Sequence, residues 1–257
     1  MINFSKYDKV KFDENGYIIK NLFYKNEQFN KISIEFKKEI LSKINKINFQ
    51  NIGGFRSGNL NINPGRYGKD ILELLLKKKF KDFFNFITGD NIENFKIQIG
   101  GNLNLTNSKN QLFHIDGPWN PRMLILNIAT TKIDTSNGPM EVYEKSHNQN
   151  YPYWKFHIKK FFMRRKSIKL NYGDIVFREH RLWHRGTNNN SENPREMIGI
   201  MFLKDKKNLS TNELSNDLKI FSNIFGITKK ERIKEFIFLY CKPLLFLYKF
   251  LISINSK

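Results

Sequence analysis

Cysteine is almost missing from this chain of 257 residues, which contains only Cys241. A disulfide framework and a zinc site built from cysteines are both excluded, and a reducing compartment is the natural setting. Acidic residues are also few: 24 Asp and Glu face 44 Lys and Arg, leaving a formal net charge of +20. The opening residues, "MINFSKYDKVKFDENG", lack the apolar stretch of a secretory signal, so a cytoplasmic protein is expected. No nucleic-acid recognition motif accompanies the positive charge, which argues against DNA or RNA as a partner. Lys, Asn, Ile and Phe are over-used together along the whole chain, as AT-rich coding produces. Beyond that background, a basic surface attracts anions, whether acyl-carrier or phosphorylated substrates or an anionic membrane.

What is present is enough for a sizeable core. Hydrophobic residues make up 40 % and aromatic residues 14 %, with 24 Phe, so the chain is globular. Residues 12–40 read as a short strand at 17–20, a loop and an amphipathic helix. The Gly- and Asn-rich stretch 51–69, with Arg56 and Arg66, has loop chemistry and suits a lid. A second helix is expected over 70–87, ended by "TGD".

From about residue 95 the texture turns to short β-rich runs: "FKIQIGGNLNL", "RMLILNIATT", "PMEVYEKS", "SIKLNYGDIVFRE" and "EMIGIMFL". Turn signals such as Ser136-Asn137-Gly138 separate them, which argues for an antiparallel sandwich or jelly-roll barrel. The expected fold is therefore mainly β with flanking helices. The charged segment 155–169 looks like an insertion between strands. Residues 1–205 form one expected domain, and 206–257 form a helical, apolar and basic tail.

In that tail, Thr228-Lys229-Lys230-Glu231 has the pattern of a helix capping box. The apolar run 236–254 follows, with Glu235, Lys242 and Lys249 seven apart on one narrow stripe and Pro243 expected to kink the helix. Two lysines and a proline argue against a plain transmembrane helix. Two readings stay open: a helix lying in a membrane interface, which would make the protein peripheral at the inner face of a membrane, or a helix packed on its own domain.

The chemistry concentrates in "QLFHIDGPWN", residues 111–120. On a strand, residues i and i+2 share a face, so His114 and Asp116 project side by side. A third ligand can come from "GDIVFREHRLWHRG", which carries His180 and His184. Two histidines and one carboxylate suit non-haem Fe(II), occupying one face of an octahedron and leaving three positions open. His180 and His184 alone have the spacing of a helical zinc pair, but no Glu stands between them and the residues before them read as a strand. Eleven residues after His184 comes Arg195, at the start of the next strand. A buried guanidinium is costly unless it meets a carboxylate, and bidentate carboxylate binding is the contact Arg makes best.

With "FDENGYIIKNLF" near the start, "HID", "NGPMEVYEKSH" and "GDIVFREHRLWH" leading to Arg195, the chain resembles the phytanoyl-CoA dioxygenase family of Fe(II)/2-oxoglutarate oxygenases over about residues 12–203. The resemblance implies a double-stranded β-helix (a jelly roll, cupin-like) with His114, Asp116 and His184 as the iron ligands. His184 is preferred to His180 because it fills the "LWH" position. It further implies that Arg195 holds the distal carboxylate of 2-oxoglutarate, and that O2 and 2-oxoglutarate are consumed with release of succinate. Halogenating relatives have a small residue in the place of Asp116, so the retained carboxylate favours hydroxylation.

One position departs from the family pattern. Relatives often have Ser or Thr two residues after the distal histidine, where this chain has Gly186; the adjacent Thr187 is the expected substitute. On the strand "QIGGNLNL", Gln98, Asn102 and Asn104 share a face, and Asn102 is the candidate amide partner of 2-oxoglutarate. Trp119 and Arg122 are candidates for walls of the substrate pocket, His147 reads as a turn residue, and His157 as a surface one. The expected activity is hydroxylation of a small substrate, of acyl or lipid-like character given the apolar tail. The alternatives are a cupin-like metal enzyme without 2-oxoglutarate, which has no need of Arg195, and an inactive membrane-associated binding module.

Overall fold

Side-chain alternation along the strands builds two layers. The structure, a computed structural model, describes residues 2–48, 52–204, 216–221 and 228–255, with the backbone alone for 252–255. In chain order the elements are α1 (Lys6–Asn15), β1 (Tyr17–Asn21), α2 (Glu27–Lys46), β2 (Asn59–Asn63), α3 (Arg66–Leu76), α4 (Phe80–Thr88), β3 (Lys96–Asn104), β4 (Met123–Ile128) and β5 (Met140–Tyr143). There follow α5 (Tyr153–Lys159), β6 (Arg165–Ile168), β7 (Asp174–Glu179), β8 (His184–Gly186), β9 (Arg195–Leu203), β10 (Lys219–Phe221), α6 (Lys229–Tyr240) and α7 (Lys242–Asn255).

Seven strands pair antiparallel in the order β1-β7-β4-β9-β3-β2-β10, and a smaller sheet runs β6-β5-β8. The pair forms the expected jelly roll. On the outer face of the large sheet, Leu124, Leu126, Phe177, Ile198, Ile200 and Phe202 pack against the helices. The sequence "FKDFFNFI" explains that layer: Phe80, Phe83, Phe84 and Ile87 follow helical spacing and are all fully buried. Phe84 meets Phe202 with ring centroids 5.0 Å apart, and Phe83 meets Phe177 at 5.7 Å. The inner face carries the alternate residues, among them Asn61, Asn102, Asn127, Arg178 and Arg195, and these face a cavity.

Several expectations change. The stretch 51–69 is not a free lid, because Asn59–Asn63 is a strand between β3 and β10. Leu60 and Ile62 fill the helix-side core from it, while the asparagines alternate with them. The single helix over 70–87 is two helices, broken where Lys79 adopts a left-handed φ of 60°. The tail contributes more than helix, since Lys219–Phe221 pairs with β2 as an edge strand. The segment 155–169 is likewise part helix and part strand, with β6 paired to β5.

Thr228 caps α6 as expected, its hydroxyl accepting the Glu231 N–H at 3.2 Å. Pro243 does not kink one helix. It lies in the first turn of α7, where its missing N–H interrupts no helical bond, and Cys241 ends α6 before it. Both helices touch the domain: the Ser57 N–H donates to Glu235 Oε1 at 3.0 Å, and Leu245 is buried. Among the described residues, no helix is long and apolar enough to cross a membrane.

Candidate metal centre and co-substrate pocket

His114 and His184 face each other across one antiparallel rung, each N–H donating to the other's carbonyl at 2.9 and 3.0 Å. The Asp116 N–H donates to the His180 carbonyl at 3.0 Å, so the "HID" segment runs alongside 180–184. This places His114, Asp116 and His184 together, with ligand atoms within 4.8 Å of one another and within reach of one metal ion. The nearest approaches are His184 Nε2 to Asp116 Oδ2 at 3.4 Å and His114 Nε2 to Asp116 Oδ1 at 3.7 Å.

The backbone sets both imidazole tautomers. His114 Nδ1 lies 2.7 Å from the Leu112 carbonyl, and His184 Nδ1 lies 2.9 Å from the Leu182 carbonyl. A carbonyl only accepts, so each Nδ1 carries the proton and each Nε2 presents its lone pair to the centre. Burial, with the Arg178 charge nearby, brings the His184 pKa down to about 3 and keeps the ring neutral. Burial opposes the charge on Asp116, but the Arg178 guanidinium bonded to it outweighs that and holds the carboxyl well below the usual carboxylate range. Neutral imidazoles and an ionised carboxylate are the donor states that a hard divalent cation takes.

His180 does not join them. It is fully buried; its Nδ1 accepts the Met123 N–H and its Nε2 donates to the Pro118 carbonyl, each at 3.0 Å, fastening the turn after Asp116.

The triad opens on a cavity of about 190 Å³ that Arg195, Asn102 and Arg178 also line. Arg195 is buried; its Nη1 donates to Asn102 Oδ1 and its Nη2 to the Gly138 carbonyl, each at 3.0 Å. Its Nε has no partner, and it forms no salt bridge among the described residues. Burial lowers its pKa to about 10. Gly138 is needed at its turn, since φ is +85° and a Cβ would lie 2.4 Å from Asn104 Nδ2.

Thr187 lies elsewhere. Its hydroxyl donates to the Pro139 carbonyl at 2.7 Å, and it does not line the cavity. Gln111 does: its Oε1 accepts the Gly186 N–H at 2.8 Å and lies 2.9 Å from where a Cβ on residue 186 would be. A glutamine amide thus fills the room that a serine at 186 would need.

Sequence reasoning missed Gln111, Asn127 and Arg178. Arg178 is buried; its Nη2 donates to Asp116 Oδ2 at 2.6 Å and its Nε to Asn127 Oδ1 at 3.1 Å, while Nη1 has no partner. The signal was there, because "DIVFRE" alternates and puts Arg178 on the face of Val176, opposite Phe177. Trp119 and Arg122 do not line the cavity: the Arg181 guanidinium sits 4.7 Å over the Trp119 ring, and Arg122 pairs with Glu179. His147 reaches the Asp13 carbonyl at 3.2 Å, and His157 is half-buried against Phe246 of α7 instead of lying free on the surface.

Residues 12–197 match the family model for phytanoyl-CoA dioxygenase. The chain belongs to the phytanoyl-CoA dioxygenase family. It is accordingly an iron- and 2-oxoglutarate-dependent oxygenase by family. No curated protein matches this dioxygenase-family chain. Solved structures of the same fold include SnoK, a non-heme alpha ketoglutarate dependent carbocyclase from nogalamycin biosynthesis, at TM-score 0.63 and 16 % identity over 85 % of this chain and 97 % of that one. The epimerase SnoN, solved with Fe3+, alpha ketoglutarate and nogalamycin RO, matches at TM-score 0.62 and 13 % identity over 77 % of this chain and 82 % of that one. EctD from S. alaskensis with bound Fe matches at TM-score 0.58 and 15 % identity over 78 % and 76 %. The fold thus serves ring closure and epimerisation in its neighbours, and the dioxygenase-family chain must be read from its own side chains.

Proposed function

We propose that the chain hydroxylates a small organic substrate of acyl or lipid-like character, with decarboxylation of 2-oxoglutarate to succinate. The observation that carries this reading is the placement of an uncompensated buried guanidinium, Arg195, on the same cavity as the His114, Asp116 and His184 donors. With iron, 2-oxoglutarate and O2 bound, such a centre supplies an oxidant strong enough to insert oxygen into a C–H bond.

The chain's own residues do the rest. Arg195 offers its free Nε–H and its Nη groups to the distal carboxylate, and Asn102, already bonded to Nη1, keeps the guanidinium plane in place. Gln111 has its oxygen fixed by the Gly186 N–H, so its NH2 is the group left to donate into the cavity. Arg178 holds Asp116 as a carboxylate through Oδ2. Ile133, Met140, Leu170, Val176 and Met197 give the cavity an apolar side, next to Asn61 and Asn127, which suits an aliphatic group. Retention of Asp116 as a third ligand supports hydroxylation over halogenation. Arg195 weighs against a cupin-like enzyme without 2-oxoglutarate, and the intact donor set weighs against an inactive binding module.

The test is an anaerobic titration of the protein with Fe(II) and then 2-oxoglutarate, followed by a 2-oxoglutarate-consumption screen over acyl, sugar and amino-acid substrates. The expected results are a visible charge-transfer band on adding 2-oxoglutarate and a product heavier by one oxygen atom. A product formed with no added oxygen would keep the cofactors and overturn hydroxylation. Failure to bind Fe(II) would revive the binding-module reading.

A further inference from the structure

The α6–α7 pair is built inside out. Two members of its polar stripe turn toward the domain, with Lys242 exposed between them: Glu235 is buried on the Ser57 amide, and Lys249 is half-buried with Nζ 5.8 Å from the centre of the Tyr153 ring. Its apolar residues turn outward instead, and Phe236, Tyr240, Leu244, Leu247 and Leu251 each stand more than half exposed. A helix pair that only completed a soluble core would have the opposite arrangement.

The exposed surface does not stop at the tail. Phe246 of α7 packs against Tyr153 and His157 of α5, with ring centroids 6.4 and 5.8 Å apart. The chain leaving α5 carries Phe161 and Phe162, which are 80 % and 86 % exposed. Single exposed apolar residues are ordinary, but several on packed neighbouring elements mark an interaction surface. Positive charge surrounds them. Residues 153–169 contain seven Lys and Arg and no Asp or Glu, with Lys155, Lys159, Arg165 and Lys166 all exposed.

We propose that this face docks on an anionic lipid surface, with Phe161, Phe162 and the outer side of α6–α7 at the boundary of headgroups and acyl chains. The lysines and arginines around it reach the lipid phosphates. Charge selects this occupant: a second copy would bring the same basic rim against itself in a chain of net charge +20, whereas an anionic bilayer complements both the apolar centre and the basic edge. The α5 helix that carries the tip is tied to the metal centre. Phe156 stacks on Trp183, the residue before His184, with centroids 3.8 Å apart and rings 5° from parallel. Docking therefore fixes how the cavity is presented to the membrane, and a lipid-borne substrate fits that placement.

The test is sedimentation of the full chain with vesicles of phosphatidylcholine containing about 30 % phosphatidylserine. Binding is expected, and at least about tenfold less to neutral phosphatidylcholine vesicles. Phe161→Ser with Phe162→Ser is expected to weaken binding at least about tenfold, with an unchanged circular dichroism spectrum because both rings are exposed. Lys155→Glu with Lys159→Glu, which leaves the apolar centre intact, is expected to weaken it as well. Absence of wild-type binding, or binding of both variants at the wild-type level, overturns the proposal. So does a dimer in analytical ultracentrifugation that the phenylalanine variant dissolves, because the face would then join two copies of this chain.

Discussion

Arg195→Met separates what the pocket costs the free protein from what it does for the co-substrate. The guanidinium is 3 % exposed, and its pKa of about 10 against the ordinary 12.5 corresponds to about 3 kcal/mol of charge burial. Methionine removes that cost, but it leaves the Asn102 oxygen and the Gly138 carbonyl without their donors, at about 1 to 1.5 kcal/mol each. The two effects nearly cancel. The metal-free variant should therefore stay within about 1 kcal/mol of wild type in urea denaturation, where breaking a paired buried charge costs about 3 to 5 kcal/mol. Adding 2-oxoglutarate to the anaerobic Fe(II) protein at about a hundred times its Kd should stabilise wild type by about 2.7 kcal/mol. The variant should gain nothing from it. A metal-free variant that loses 3 kcal/mol or more would mean that Arg195 is a paired structural residue. A variant that still responds to 2-oxoglutarate would mean that another group holds the distal carboxylate.

Removing Asp116 should have the opposite outcome, because Asp116→Ala strands Arg178 with a buried charge and should cost about 3 kcal/mol. Adding Arg178→Met should recover most of that loss in the same urea experiment, and simple additivity of the two would refute the pairing. Acid should destabilise the metal-free protein. The folded pKa values of His184 (about 3) and His157 (about 4) lie below the unfolded value of 6.5, so between these limits the unfolded chain binds more protons. Stability should be flat above about pH 6.5 and fall by about 2 to 3 kcal/mol between pH 6.5 and 5, with Asp116 adding a loss of the same sign below its usual range; a flat profile down to pH 4.5 would show that His184 charges inside the fold. Gly186→Ser should push Gln111 aside and raise the KM for 2-oxoglutarate several-fold with little change in melting temperature, since the contact at 2.9 Å is to a side-chain tip. An unchanged KM would remove Gln111 from the co-substrate site.

Much of the candidate metal site was legible, because the i, i+2 rule sets His114 beside Asp116 and the Gly-Asp turn before a strand leads to His180 and His184 without knowledge of packing. Choosing His184 over His180 needed more than spacing, and the family's "LWH" supplied it; the physical reason appears only in three dimensions, where His180 is spent on the Met123 N–H and the Pro118 carbonyl. β2 was hidden because its alternation is written in asparagine, a poor strand former, so the Leu60 and Ile62 signal read as loop. The break between α3 and α4 falls on three lysines that suit a helix, and only Phe80 seeking the core makes the chain turn there. Gln111 had no local signature at all, since its role depends on a glycine 75 residues away. Direction along the tail was hidden in a similar way: periodicity gave the polar stripe, but not that Glu235 and Lys249 would face the protein while Lys242 stays exposed.

The rung between His114 and His184 has a consequence for the lifetime of the protein. The long connection from Asn104 to Met123 delivers two of the three donors, yet within the sheets it is anchored as an isolated bridge and not as a strand. A cation shared by His114, Asp116 and His184 would rivet that connection to β8 and the small sheet. Metal supply then becomes a form of quality control: a chain starved of iron should expose 105–122 to proteases first, and a loaded one should resist them.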